Sequence, residues 1–192
     1  MNDVKNILLV GVGGQGTILA SKILTTGLLH GGYDVKMSEI HGMSQRGGSV
    51  STQVRYGEKV NSPIIGKGNA DILVSFEEME AYRWLSYVKK EGKVVLNDYR
   101  LPSSPMLIGK ANYPEGLKEE ITEKVSTELI GAAKIAEEIG NAKTMNIVLL
   151  GALVKEMQLE DIDWDNIIEK LVKPKFVEIN KKAFARGLNY KK

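Results

Sequence analysis

The sequence predicts an α/β fold on three observations. Short apolar runs alternate with helix-period segments through the first half of the chain, the pattern of a parallel sheet covered by helices. The glycine-punctuated turn Gly11-Val12-Gly13-Gly14-Gln15-Gly16 directly follows the strand-like run Ile7-Leu8-Leu9-Val10 and precedes a helical segment. The second half reads as a succession of amphipathic or apolar helices. Together they specify a Rossmann-like architecture: a mainly parallel sheet, helices on both faces and a helical C-terminal part, in a single domain over residues 1–192.

Residues 4–10 read as a buried strand, short, apolar and ended by glycine. Residues 17–29 form a helix, with Leu19/Ile23 and Leu24/Leu28 at i,i+4 spacing and Gly31-Gly32 as its stop. Residues 33–38 are the next strand and complete a strand–loop–helix–strand unit. In residues 50–56, Val50, Thr52, Val54 and Tyr56 alternate with Ser51, Gln53 and Arg55. That is the period of a strand with one wetter face, and this strand is the candidate for antiparallel pairing. Gly57-Glu58 marks a turn, and residues 59–65 a short edge segment limited by Pro63.

Residues 72–76 are another apolar strand. Residues 77–88 make a helix with Ala81, Leu85 and Val88 on one face, acids in its first turn and Gly92 as its stop. A strand over 93–97 follows. Pro102 and Pro105 make residues 101–112 an irregular connection, with a short strand at Met106-Leu107-Ile108. Residues 115–124 are charged and helical. Ala132, Ile135, Ala136 and Ile139 define an amphipathic helix stopped at Gly140, and residues 143–157 a helix apolar nearly all round, which demands burial. Trp164, Ile167, Ile168 and Leu171 mark a helix capped by Asp163. Pro174 opens the last one, which carries Phe176, Ile179 and Ala183 and is closed by Gly187.

Composition narrows function by exclusion. The net charge of +2 gives no argument for nucleic acid or an anionic membrane surface. No run reaches the roughly 18 apolar residues of a membrane span, and no signal-peptide pattern opens the chain, so a cytoplasmic setting is expected. The chain has no cysteine, which removes disulfides, thiol catalysis and the usual four-thiolate iron–sulfur cluster. Its two histidines, His30 and His41, form no spaced ligand set, so no metal site is expected.

Two glycine-rich stretches carry the chemistry. Gly11-x-Gly13-x-x-Gly16 after a strand and before a helix matches a dinucleotide fingerprint, in which glycines let helix N-terminal N–H groups meet an anion. Glu39, ending the next strand, stands near where a ribose-binding acid would fall. The same glycines also suit a tight turn holding no ligand, and the motif alone leaves both readings open.

The second stretch is Glu39-Ile40-His41-Gly42-Met43-Ser44-Gln45-Arg46-Gly47-Gly48-Ser49-Val50, a polar loop between two strands. His41 has the chemistry of a general acid or base, or of an ordinary surface hydrogen-bonding residue. Arg46 can clamp a phosphate or carboxylate with two parallel hydrogen bonds. Ser44 and Gln45 supply donors, but nothing beside Ser44 resembles a base that would make it a nucleophile.

Both stretches resemble the gamma-type domain of the ferredoxin-dependent 2-oxoacid oxidoreductases. The His-Gly-Met-Ser-Gln-Arg-Gly-Gly run is similar to that of the indolepyruvate type. Asn146-Ile147-Val148-Leu149-Leu150-Gly151-Ala152-Leu153 and the 175–184 segment resemble its C-terminal part, so the likeness covers essentially the whole chain. The charged stretch 116–128 departs from that pattern, and no strand is assigned there.

The resemblance implies a subunit of an enzyme that decarboxylates indolepyruvate and other arylpyruvates to aryl-acetyl-CoA while reducing ferredoxin. It implies that thiamine diphosphate and iron–sulfur clusters belong to a larger alpha subunit, and that this chain is inactive alone. The absence of cysteine and of a Gly-Asp-Gly thiamine signature agrees. On this reading His41 and Arg46 have supporting roles in catalysis. Gly11, Gly13, Gly14, Gln15, Gly16, Ser44, Gln45, Gly47 and Gly48 face coenzyme A or the partner subunit. A free-standing NAD- or FAD-binding protein and a purely structural subunit are the alternatives.

Overall fold

The run Ile7–Val10 is at most 1% exposed, and its side chains divide between two cores. Ile7 and Leu9 face one, Leu8 and Val10 the other. A strand buried on both faces must lie inside a sheet, and the computed structural model, which describes residues 4–42 and 47–190, places it there. The six strands are β1 (Lys5–Val12), β2 (Asp34–His41), β3 (Ser49–Gly57), β4 (Ala70–Ser75), β5 (Val88–Asn97) and β6 (Ser126–Ile130). They are ordered β2-β3-β1-β4-β5-β6. The β1–β4, β4–β5 and β5–β6 pairs are parallel, and β3 is antiparallel to both neighbours.

One face carries α1 (Thr17–His30), α5 (Ala132–Ile139), α6 (Met145–Glu156), α7 (Trp164–Leu171) and α8 (Val177–Leu188). The other carries α2 (Glu78–Trp84), α4 (Leu117–Lys124) and residues 59–65. The α/β class with helices on both faces is therefore as the sequence indicates. Asp163 caps α7 as expected, its side chain accepting from Asn166 N–H.

Five local expectations are corrected. Residues 59–65 are not a strand. They form an extended strap tied to the sheet by side chains: Val60 N–H donates to Asp34, Arg55 to the Ser62 carbonyl, and Ile65 N–H to Gln53. Met106-Leu107-Ile108 is not a strand either, because a short helix, α3 (Ser104–Leu107), forms with Pro105 in its first turn. Gly92 does not end a helix but lies within β5, where the register against β4 shifts. A Cβ there would come within 2.9 Å of the Ala70 carbonyl oxygen, so the glycine permits a close approach of strands. Residues 126–130, assigned no strand, form β6, an edge strand whose polar Ser126, Thr127 and Glu128 hide its period.

Gly187 is likewise not a helix stop. It lies inside α8 facing α6, where a Cβ would be 1.9 Å from the Val148 carbonyl oxygen. Gly151 on α6 meets the backbone of α8 in the same way, 2.3 Å from the Phe184 carbonyl oxygen. The two glycines let α6, buried along Met145–Val154, sit backbone against backbone with α8.

Thr52 is fully buried on β3, and its hydroxyl has no hydrogen-bond partner among the described residues. Leaving a buried hydroxyl unpaired costs about 1–3 kcal/mol, and valine keeps its shape. Thr52→Val is expected to stabilise the protein by about 1 kcal/mol, read as a rise of roughly 2–4 °C in melting temperature.

Candidate functional site

The carboxyl end of β1 turns through Gly11–Gly16 into α1. Gly14 (φ 102°) and Gly16 (φ 81°) take the left-handed backbone that glycine tolerates. The turn is closed from inside by its own glutamine. Val12 N–H donates to Gln15 Oε1 (2.7 Å), and Gln15 Nε2 donates to the Phe76 carbonyl (3.1 Å) at the end of β4. A Cβ on Gly11 would lie 2.7 Å from Gln15 Oε1, so the glycine makes room for that side chain. Asn97, wholly buried at the end of β5, also donates to the Phe76 carbonyl and accepts from Ala132 N–H at the start of α5.

The central loop returns to this turn. Gly13 N–H donates to the Gly48 carbonyl (2.8 Å), and Gly47 N–H reaches the Gly13 carbonyl (3.4 Å). Gly11, Gly13, Gly14, Gln15, Gly16, Gly47 and Gly48 are thus in one place. Ser44, Gln45 and Arg46 lie outside the described residues. His41 ends β2 and pairs through Nε2 with Glu39. Glu39 is not beside the glycine turn: β3 runs between β1 and β2, setting β2 about 10 Å from β1 at the usual strand spacing. The ribose-acid geometry of a dinucleotide site is therefore not assembled here.

Two clefts open beside the turn, one on each face of the sheet. The first, about 550 Å³, is lined by Gly14, Gln15, Gly16, Leu19, Tyr99, Ala133, Lys143, Met145 and Asn146 among others. The N-terminal end of α1 has no side-chain cap and no acid in its own first turn; the cleft's charged side chains are Lys143 and Glu137. Asn146 is 2% exposed and donates from Nδ2 to the Gly16 carbonyl (2.9 Å). Its Oδ1 has no partner among the described residues. That bond orients the amide, so the free atom is an acceptor waiting for a donor. Sequence reading passed over Asn146; the available signal was a lone amide in an otherwise apolar helix.

The second cleft, about 450 Å³, is lined by Val12, Gly47, Glu77, Glu80, Arg83 and residues of the 101–107 segment. Its floor is the acidic run after β4. Glu77 caps α2, accepting from Glu80 N–H (3.0 Å), and takes donors from Leu101 N–H and the Tyr113 hydroxyl. Burial next to that carboxylate pushes the Tyr113 phenol well above its usual range. Glu78 pairs with Arg100 (2.8 Å). Glu80 accepts from Ser49 Oγ (2.5 Å) and from Arg83 (3.0 Å). Burial raises the Glu80 pKa against the lowering effects of Ser49 and Arg83. The folded state then holds that proton more tightly than the unfolded chain, so stability from this group declines as pH rises through its folded pKa.

Among the described residues no three His, Asp or Glu side chains are grouped to hold a metal ion. With no cysteine in the chain, the donor set of an iron–sulfur cluster is not present. No described helix is long and apolar enough to cross a membrane.

Fold and site define a Rossmann-like domain whose glycine turn is closed by its own glutamine and presented beside a second glycine-rich loop. The chain belongs to the pyruvate ferredoxin/flavodoxin oxidoreductase family, whose model matches residues 6–190. It is 40% identical over 189 residues to "Indolepyruvate oxidoreductase subunit IorB" of Pyrococcus horikoshii, covering 95% of this chain and 94% of that one. The fold matches the gamma subunit of a keto/oxoacid ferredoxin oxidoreductase from Geobacter sulfurreducens with TM-score 0.70 at 22% identity, over 95% of both chains. It also matches 2-oxoglutarate:ferredoxin oxidoreductase from Magnetococcus marinus with TM-score 0.73 at 20% identity, covering 98% of this chain but 31% of that longer one. The family resemblance carried by the two glycine-rich stretches is thereby borne out.

Proposed function

We propose that this chain is the small subunit of an indolepyruvate:ferredoxin oxidoreductase, which converts indolepyruvate and other arylpyruvates to aryl-acetyl-CoA and reduces ferredoxin. Near-complete mutual coverage with the Pyrococcus subunit at 40% identity supports this assignment. On this reading thiamine diphosphate and the iron–sulfur clusters belong to a larger alpha subunit, and the lack of cysteine in this chain agrees for the clusters. This chain contributes a surface that completes the partner's reaction centre.

Coenzyme A is the ligand of that surface, and the first cleft receives it. The unpartnered Asn146 Oδ1 carries this reading. The pantetheine arm of coenzyme A offers amide N–H donors, its phosphates suit the uncapped start of α1 and Lys143, and Leu19 and Met145 supply apolar walls. Arg46 and His41 act in support, Arg46 on an anionic group and His41 through hydrogen bonding.

Mixing the purified chains tests the assignment. Together they are expected to reduce ferredoxin with indolepyruvate and coenzyme A, while either alone gives less than about 1% of that rate, the scale of loss when a reaction centre is left incomplete. Full turnover by the large subunit without this chain would disprove it.

A further inference from the structure

The acidic run after β4 places three carboxylates in the interior: Glu77, Glu78 and Glu80 are each at most 3% exposed. Buried carboxylates persist only where donors compensate their lost hydration. Glu77 caps α2 and gathers the 101–113 segment, and Glu78 holds Arg100. Glu80 has another task. Its two oxygens take one donor from its own helix, Arg83, and one from outside it, Ser49 at the foot of the central loop. Among the described residues that foot is otherwise held by backbone bonds, including Gly42 N–H to the Ser49 carbonyl and the two bonds between Gly13 and Gly47-Gly48. Among the described residues, Ser49–Glu80 is the one side-chain hydrogen bond from residues 47–49 to a helix.

We propose that Glu80 is a positioning residue: through Ser49 it sets residues 47–49, the foot of the central loop, against the glycine turn, and so shapes the end of the sheet that meets ligand and partner. A carboxylate suits the task because it accepts from Ser49 and Arg83 at once, and a bond to an ionised acceptor is stronger than one to a neutral group. Glu80 is itself seated by the bond from its N–H to Glu77, so the loop's foot is tied to a rigid helix start rather than to a mobile surface chain. The link of Glu80 to turnover rests on the function proposed above; its hold on the loop does not.

Amide hydrogen exchange on the full-length chain separates the two. Glu80→Ala is expected to speed exchange at Gly48, Ser49 and Val50 about tenfold, the loss set by one charge-assisted hydrogen bond. Exchange in β1 should be unchanged. Glu80→Gln keeps an acceptor and is expected to restore most of the protection. Ser49→Ala, which disturbs packing least, should match Glu80→Ala, and the double variant should be no worse than either.

In the reconstituted complex, Glu80→Ala is expected to raise the KM for coenzyme A several-fold with kcat within about twofold, the pattern of lost positioning rather than lost chemistry. Unchanged exchange at 48–50 in Glu80→Ala and Ser49→Ala, or exchange accelerated equally in β1, would overturn the proposal. So would faster loop exchange with every kinetic constant and the subunit affinity unaltered. If the large subunit works alone, the functional assignment falls while the exchange result still decides the hold on the loop.

Discussion

Gly187→Ala is expected to lower the melting temperature by about 6–12 °C. The added Cβ would stand 1.9 Å from the Val148 carbonyl oxygen and 2.8 Å from its carbon, and both belong to helix backbone. A side chain can turn away from such a clash, but a helix can only move as a body. Separating α6 from α8 then loosens the face that buries α6 along Met145–Val154. Overpacking costs about 1–3 kcal/mol where side chains can adjust, so about 3 kcal/mol is the lower bound here. For a chain of this size each kcal/mol moves the melting temperature by roughly 2–4 °C. Gly151→Ala acts on the same contact, and the two should therefore be less than additive. Gly131→Ala is the control: the nearest atom to its added Cβ is 3.9 Å away, and only the small cost of alanine at the N-cap of α5, at most about 1 kcal/mol, is expected. Thermal melts of the three variants check the set, and an unaffected Gly187→Ala protein would refute the packing.

Asn146→Ala is expected to raise the KM for coenzyme A about tenfold in the reconstituted enzyme, with the KM for the 2-oxoacid unchanged. A buried acceptor that meets a ligand donor is worth about 1–2 kcal/mol on truncation, and 1.4 kcal/mol is tenfold. The substitution also removes the bond to the Gly16 carbonyl, so a second variant isolates the ligand contact. Asn146→Asp keeps acceptor oxygens but faces the Gly16 carbonyl with a carboxylate, which disturbs the turn and leaves the ligand's donor a partner. It should disturb the chain's stability more than Asn146→Ala does, and the KM less. Equal coenzyme A constants in wild type and Asn146→Ala would remove coenzyme A from this cleft.

Much of the architecture is local and was open to reading from residue order. The alternation of Val50, Thr52, Val54 and Tyr56 marked β3, the i,i+4 pairs marked α1, and Asp163 marked the start of α7. These signals depend on a few neighbouring residues. The errors cluster where a partner distant in the chain decides. Gly92 and Gly187 looked like stops because glycine commonly ends helices. Their actual task is to admit the backbone of β4 and of α6, which nothing within a few residues announces. β6 was missed because an edge strand tolerates polar residues on both faces, and Glu128 and Thr127 mask its period.

The candidate site divides along the same line. Residue order alone determined the class of fold, the two glycine-rich stretches and, through their resemblance, the family; it also excluded cysteine chemistry outright. Those conclusions need only which residues are present and how they are spaced. Tertiary structure alone decided that β3 returns between β1 and β2, withdrawing Glu39 from the glycine turn and bringing Gly48 to it. It also set Asn146, 130 residues away along the chain, against Gly16, and made Glu80 the anchor of Ser49. Strand order and the meeting of remote side chains are settled by how whole surfaces bury one another, a property of the packed chain that no short stretch contains.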